Sequence, residues 1–304
     1  MENKYVGLED ILKKENIKYN EPMKNHTTMK VGGKCDCLVL PETEEEITKV
    51  VSYAREHNIK YYIIGNGSNL LVLDEGIRGL VIKISSKYCN VEVNDEVIIA
   101  DSGVGIPKLA QIAKKHVLSG LEFACGIPGT VGGCVRMNAG AYGGEMVNVV
   151  EEVKYLDEYG DIKTILGKDM EFSYRHSIFS NHPKWIILSV KFKLKHGDIE
   201  EITRVMNENT VARRTKQPLE YPNFGSVFKR PEGYFVGKLV QDSGLRGKQI
   251  GGAQVSEKHT GFIVNKENAT CKDVLDLIKF VQDTVYEKFG VHLNTEVEII
   301  GGEN

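Results

Sequence analysis

The sequence has no run approaching the ~18 apolar residues that a membrane-spanning helix needs. It also has no C-x-x-C pair, no H-E-x-x-H and no G-x-x-x-x-G-K-[ST]. The first absence argues against a transmembrane protein, and the opening stretch, with charges of both signs and no apolar core, is not a signal peptide. A cytoplasmic protein is expected. There is no excess of either charge: 39 Lys and Arg stand against 42 Asp and Glu, a formal −3. That balance argues against electrostatic capture of nucleic acid or of an anionic membrane. The six cysteines, Cys35, Cys37, Cys89, Cys125, Cys134 and Cys271, have no histidine at zinc-ligand spacing, so they read as small buried hydrophobes and no metal is expected. The missing phosphate-loop motif argues against a P-loop kinase or ATPase. What remains, 304 residues with 41% hydrophobic and 27% charged, is the composition of a soluble globular chain of two or three domains.

Glycine is the informative residue. There are 31, and they cluster in GLEFACGIPGTVGGCVRMNAGAYGG (120–144) and in Gly65-Asn66-Gly67-Ser68-Asn69. Glycine loses more backbone entropy on folding than any other residue, so such density belongs where the chain turns sharply or approaches a ligand closely. Successive backbone N–H groups in tight turns make anion-binding concavities. Gly65–Asn69 and the run Gly126, Ile127, Pro128, Gly129, Thr130, Val131, Gly132, Gly133 both suit that role, and Ser68, Asn69 and Thr130 add side-chain donors. Neither is a dinucleotide fingerprint, because Gly65-x-Gly67 lacks the third glycine and a short strand is expected after it. On glycine content alone, a phosphate cradle and a pair of structural loops stand level.

Periodicity supplies the elements. Thr43-x-x-Glu46 is a capping box opening a helix to about His57, with Ile47, Val50, Val51 and Ala54 on one face. Strands are expected at Lys60–Ile64, Leu70–Leu73, Leu80–Ile84 and Val97–Ala100, and a helix over Pro107–Val117. Val153–Asp157 and Ile162–Leu166 form a hairpin through Tyr159-Gly160-Asp161. Trp185–Lys195 alternates as a half-buried strand, with Ile186, Leu188, Val190, Phe192 and Leu194 on one face. Composition shifts at about Gly197, and Asp198–Arg214 reads as a charged linking helix. Cys271–Phe289 is a helix capped by Thr270-x-x-Asp273. Val291–Ile300 is expected as the last strand, with Val291, Leu293, Val297 and Ile299 on one face and His292, Asn294, Glu296 and Glu298 on the other.

GNGSNLL, GIPGTVGG with NAGAYGGE, FSYRHSIF, FGSVFKRP and GGAQVSEKHTGFIVN occur in this order over nearly the whole chain. In that arrangement the chain resembles the UDP-N-acetylenolpyruvoylglucosamine reductase (UDP-N-acetylmuramate dehydrogenase) family, of the flavin-binding superfamily named for p-cresol methylhydroxylase and vanillyl-alcohol oxidase. The resemblance implies an α+β fold. A two-part FAD-binding α+β domain of the p-cresol methylhydroxylase type would occupy residues 1–197, as subdomains of about 1–85 and 86–197. A smaller α/β substrate-binding domain, 198–304, would carry the C-terminal catalytic strand. It implies FAD as cofactor, non-covalent because the GNGSN loop has no histidine, and NADPH as co-substrate. The partners implied are a UDP-sugar and NADPH, without nucleic acid or membrane, and a monomer is expected. The cofactor residues implied are Gly65, Asn66, Gly67, Ser68, Asn69, Gly126, Ile127, Pro128, Gly129, Thr130, Gly133, Asn138, Gly140 and Ala141.

The reaction the resemblance implies is reduction of an enolpyruvyl ether on a UDP-sugar, in peptidoglycan precursor synthesis. Arg175 matches the family's catalytic arginine, Ser226 its proton donor and Glu296 its catalytic glutamate. Lys216, Lys229, Arg230, Gln254, Lys258 and His259 fall where the family contacts substrate. On pattern alone Arg175 would be a surface ion-pair partner, Ser226 a turn residue and Glu296 a solvated strand residue. The match is to the shorter subtype, which lacks the loop whose tyrosine covers the substrate in longer members. An alcohol oxidase or dehydrogenase on the same flavin scaffold, and a non-catalytic UDP-sugar-binding protein, are the competing readings.

Overall fold

The computed structural model describes residues 4–302; the outer limits of the expected domains, residues 1 and 304, lie outside them. The chain forms two interleaved compact units. The first takes the residues up to Tyr19, then Cys37–Asn66 and Gly79–Arg213; the second takes Asn20–Asp36, Gly67–Arg78 and the residues from Arg214 onward. Two short segments, 20–36 and 67–78, which the sequence reading put in the 1–197 region, therefore pack with the C-terminal residues. Side chains from those segments explain it: within the second unit Thr28 Oγ1 donates to the Asn223 carbonyl (2.6 Å) and Asn265 Nδ2 to the Met29 carbonyl (3.1 Å).

In the first unit α1, Glu44–Glu56, starts where the capping signal places it. Thr43 Oγ1 accepts from the Glu46 N–H, but the Glu46 carboxylate accepts from the N–H of Glu42 rather than of Thr43. Its apolar stripe, Ile47, Val50, Val51 and Ala54, is fully buried. Tyr61–Ile64 pairs in parallel with Leu80–Lys83. A separate five-stranded sheet is antiparallel, in the order Ile162–Leu166, Val150–Leu156, Ile186–Lys193, Val97–Asp101, Val91–Asn94. The short helices α2 (Ile106–Lys115), α3 (Val131–Arg136) and α4 (Ile178–Asn181) follow in sequence, and side chains of all three join the hydrophobic core with this sheet. The Ile186–Lys193 strand buries Ile186, Leu188, Val190 and Phe192 as its alternation requires, and Ile187 on the opposite face is buried as well. The unit's last helix is α5, Ile199–Lys216, which ends just inside the second unit.

The second unit is built on an antiparallel sheet in the order Asn223–Ser226, Phe262–Asn265, Ala253–Val255, Gln249–Ile250. Side chains of α6 (Val236–Asp242) and α7 (Cys271–Phe289) share its core. The α7 boundaries are those the sequence signals: Thr270 and Asp273 form the reciprocal cap, and Gly290 ends the helix at φ +68°. Val274, Leu277, Ile278, Val281 and Val285 are buried along it, each contributing on the order of 1.5–3 kcal/mol of transfer free energy.

Three expected strands differ. Leu70–Leu73 and Leu80–Ile84 are parts of one strand, Leu70–Lys83. The Asp74-Glu75-Gly76 stretch reads as a turn, yet Gly76 at φ +80° passes so close to the Lys34 carbonyl oxygen, 1.9 Å from where a Cβ would stand, that it bends the strand without ending it. The last strand covers only Glu298–Gly302, parallel to Leu70–Val72. Residues 291–297 bury Leu293 and Val297, but they bond to the 227–229 segment: Lys229 N–H donates to the Asn294 carbonyl and Glu296 N–H to the Val227 carbonyl, both at 2.8 Å. Ile299, expected on the buried face, is 43% exposed.

Candidate active site

In the first unit Gly65 and Asn66 meet the second glycine cluster. A Cβ on Gly65 would stand 2.5 Å from Thr130 Oγ1, and Asn66 Nδ2 donates to the Pro128 carbonyl at 3.1 Å. Thr130, 2% exposed, caps α3 by accepting from the Gly133 N–H. The Gly129 carbonyl accepts from Ile106 N–H and the Ser102 carbonyl from Gly132 N–H, so the second loop is clamped between strand and helix. A cavity opens here, lined by Gly65, Ser102, Thr130, Gly132 and Gly133 and by the apolar Ile63, Ile84, Ile187, Pro183 and Trp185.

The polar side of that cavity fits a dinucleotide cofactor. Ser102 is 2% exposed and its hydroxyl has no hydrogen-bond partner, which for a buried polar atom marks a missing partner. Gly132 has no room for a side chain, since a Cβ would lie 2.9 Å from that of Ser102. The Asn66 N–H, in the same unit, donates to nothing among the described residues. A free amide, a free hydroxyl and bare glycines suit a diphosphate. The apolar side suits a flat heterocycle. Nothing in the sequence pattern marked Ser102, because its meaning lies in an unmet hydrogen bond.

Arg175 sits in a tight turn of the same unit. Ser173 and His176 exchange backbone bonds of 3.1 and 3.2 Å, and Arg175 takes φ +56°. A left-handed conformation costs a non-glycine residue about 1–2 kcal/mol, so the turn must be held from outside. Asn138 holds it. Buried at 1% exposure, it donates from Nδ2 to the Ser173 carbonyl (3.0 Å) and to Glu145 Oε2 (2.8 Å), and its Oδ1 accepts from the Val147 N–H (3.0 Å). Arg175 Nη2 donates to the Gly140 carbonyl at 3.3 Å, at the start of the hairpin Gly140–Ala141/Gly144–Glu145. Both donors of the Asn138 side chain are thus spent inside the protein. Ile127 likewise packs against the core of the sheet.

In the second unit Ser226 lies at a register break. Asn223 pairs with Val264 and Ser226 with Phe262, with Gly225 between them at φ +83°. The Ser226 side chain is exposed and its hydroxyl has no partner among the described residues. Glu296, half-buried, is on the adjoining segment, held by its N–H to Val227 and by Asn69 Nδ2 to its carbonyl at 2.9 Å. The Asn69 amide is therefore engaged with the segment that carries Glu296. Gln254 and Lys258 line a pocket with Tyr221 and Lys266, the latter two not anticipated. Lys266 Nζ bonds the Tyr221 hydroxyl at 2.5 Å, and Lys258 Nζ the Arg214 carbonyl at 2.8 Å. His259 Nδ1 accepts from the Gly261 N–H at 3.1 Å, and burial pushes its pKa down, both favouring the neutral ring. Arg230 lies over the Phe235 ring at 4.0 Å, and Lys216 and Lys229 are exposed.

A glycine-lined dinucleotide cradle on this α+β scaffold defines a flavin-binding protein. Residues 35–166 match the FAD binding domain model, and residues 217–300 match the model for the UDP-N-acetylenolpyruvoylglucosamine reductase C-terminal domain. The UDP-N-acetylenolpyruvoylglucosamine reductase of Caldanaerobacter subterraneus is 50% identical over 97% of both chains, and that of Clostridioides difficile 49% identical over 98% of this chain and 97% of its own. The crystal structure of the reductase from Thermus caldophilus superposes with a TM-score of 0.78 at 37% identity, over 92% of this chain and 97% of that one. An alkyldihydroxyacetonephosphate synthase, 15% identical with a TM-score of 0.50 over 64% of this chain and 41% of that one, shares the fold. The chain belongs to the UDP-N-acetylenolpyruvoylglucosamine reductase family, an FAD-dependent oxidoreductase family.

Proposed function

We propose that this chain reduces the enolpyruvyl ether of UDP-N-acetylglucosamine enolpyruvate to the lactyl ether of UDP-N-acetylmuramate, with NADPH as reductant and FAD bound without a covalent link. The observation that carries the reading is the exposed, unpartnered Ser226 hydroxyl beside left-handed Gly225, next to the segment that presents Glu296. The likeness to the reductases over almost the full chain supports it.

FAD would be held by the Asn66 amide, by Ser102 and by the 126–133 loop, and would supply hydride transfer from NADPH to the alkene. The protein's task is to manage the charge and proton that follow. Hydride addition at the terminal carbon leaves negative charge over the adjacent carbon and its carboxylate. Arg175 holds that carboxylate with a guanidinium fork, which stabilises the charge as it develops. Ser226 donates its hydroxyl proton to the adjacent carbon, and Glu296 acts with Arg175 around the developing enolate. A hydroxyl is a weak acid, so its part depends on exact placement, which the Gly225 conformation supplies. Lys216, Lys229, Arg230, Lys258 and His259 remain candidates for the UDP-sugar. The first unit is read as the FAD-binding region and the second as the substrate domain, in a cytoplasmic monomer.

The test is NADPH oxidation by the purified holoprotein on adding UDP-N-acetylglucosamine enolpyruvate. Substrate-dependent turnover is expected. A folded, colourless protein that takes up no FAD refutes the reading, and so does flavin that NADPH does not bleach.

A further inference from the structure

Glu296 stands just short of a strand. The parallel ladder with Leu70–Val72 begins at Glu298, so the Glu296 carbonyl falls outside it and must find its hydrogen bond elsewhere. A side chain supplies that bond: Asn69 Nδ2 donates to the Glu296 carbonyl at 2.9 Å. The Asn69 carbonyl in turn accepts from the Glu298 N–H at 3.0 Å. One residue thus grips the chain on both sides of the buried Val297.

Asn69 is itself held in place within the second unit. Two residues before it, Gly67 takes φ +65°, and a Cβ there would lie 2.1 Å from the His26 carbonyl oxygen, so only glycine lets the chain pass. The Gly67 carbonyl accepts from the Thr28 N–H at 3.1 Å, and Thr28 Oγ1 donates to the carbonyl of Asn223, which opens the strand that ends at Ser226. One residue after Asn69, Leu70 enters the strand that pairs with Glu298. The amide of Asn69 therefore reaches out from a fixed origin.

The other side of Glu296 is tied to the Ser226 segment. Its N–H donates to the Val227 carbonyl at 2.8 Å, and Phe228 pairs with Thr295 in an isolated antiparallel bridge. Both backbone polar groups of Glu296 are thereby engaged, the N–H by the neighbour of Ser226 and the carbonyl by Asn69. Without the Asn69 donor, the peptide between Glu296 and Val297 could turn its carbonyl toward water and carry the side chain with it. We propose that Asn69 is a positioning residue of the reduction: its side-chain amide fixes the Glu296 backbone, and with it the place of the carboxylate relative to the Ser226 hydroxyl. This rests on the reading of Glu296 and Ser226 in the preceding section and adds to it a residue that acts through Glu296.

The test is stopped-flow absorbance in both half-reactions for the wild-type holoprotein, N69A, N69L, E296Q and N69A/E296Q, with the FAD dissociation constant of each apoprotein. Leucine keeps the volume of asparagine without its donor, and both substitutions keep the Asn69 carbonyl and so the bond from Glu298. A misplacement of about 1 Å costs on the order of 100-fold in rate. Reoxidation by the enolpyruvyl substrate should therefore slow roughly 10- to 100-fold relative to bleaching by NADPH, in kcat rather than in KM. In the E296Q background N69A should cost less than about two-fold, because changes that act through one group do not add. Full additivity of N69A and E296Q overturns the proposal. So does either single Asn69 variant reoxidised at the wild-type rate, or a loss confined to KM. FAD affinity that falls while reoxidation at saturating FAD stays normal overturns it as well, and makes the side chain a cofactor contact. E296Q reoxidised at the wild-type rate refutes the catalytic reading of Glu296 and this proposal with it, whereas a slow E296Q beside an unaltered N69A removes only Asn69.

Discussion

Replacing Ser226 by alanine separates chemistry from stability. The hydroxyl is exposed and bonds to no described residue, so its removal leaves no orphaned partner and opens no cavity. Surface substitutions of that kind change stability by about 0.5 kcal/mol or less. Gly225, whose φ of +83° sets the local backbone, is untouched. Loss of a general acid, by contrast, costs roughly 10²- to 10⁴-fold in rate, which is about 3–5.5 kcal/mol of barrier at 1.36 kcal/mol per decade. The assay is stopped-flow absorbance in two half-reactions. Bleaching of the flavin by NADPH should proceed at the wild-type rate in S226A, and reoxidation by the enolpyruvyl substrate should collapse by the factor above. A denaturant titration on the same sample should give a wild-type midpoint. Reoxidation within a few-fold of normal would show that the proton comes from elsewhere, and an equal loss in both half-reactions would show that the substitution disturbs the flavin.

E296Q keeps the shape of the side chain and removes its charge, so turnover should fall further than substrate affinity; equal losses in kcat and KM would make Glu296 a binding group only. N138A removes three buried hydrogen bonds. At about 1–3 kcal/mol for each buried group left unsatisfied, the midpoint of chemical denaturation should drop clearly, and a stability equal to wild type would refute the keystone role. His259 titrates below its ordinary value of 6.5 in the folded state. The unfolded chain therefore binds the extra proton first: the stability this group contributes is full above about pH 6.5 and is lost as pH falls through the window below it. H259Q should flatten that acid-side slope in denaturation midpoints measured from pH 7.5 downward, and parallel pH profiles for the two proteins would refute it.

Elements held by local signals were legible. α7 begins at the Thr270–Asp273 cap and ends at Gly290, and its five-residue apolar stripe repeats with helical spacing, so no distant partner had to be known. The Ile186–Lys193 strand announced itself by alternation in the same way. The strand Leu70–Lys83 was misread because Gly76 looks like punctuation when its reason, close passage of the Lys34 carbonyl, is invisible in the chain. Residues 291–297 alternate like a strand, yet their hydrogen bonds go to residues 227–229. The interleaving of segments 20–36 and 67–78 with the C-terminal residues was hidden for the same reason: the Thr28–Asn223 bond joins residues 195 apart.

The site divides along the same line. Its glycine loops were visible because they are runs; the employment of its polar side chains was not, because each is decided by one remote partner. Asn138 lies in a glycine-rich motif, and its amide is spent on Ser173, 35 residues away. Asn69 is spent on Glu296, 227 residues away. What points to a ligand is therefore the unspent bond, as at the Ser102 hydroxyl and the Asn66 amide. An orphaned atom alone is not enough, since Asn16 Oδ1 and Gln217 Oε1 are also unpartnered and neither lines the glycine cavity. Where an unmet donor and a side-chain-free backbone fall on the same wall, as at Ser102 and Gly132, the two observations have independent causes, and a bound oxyanion accounts for both at once.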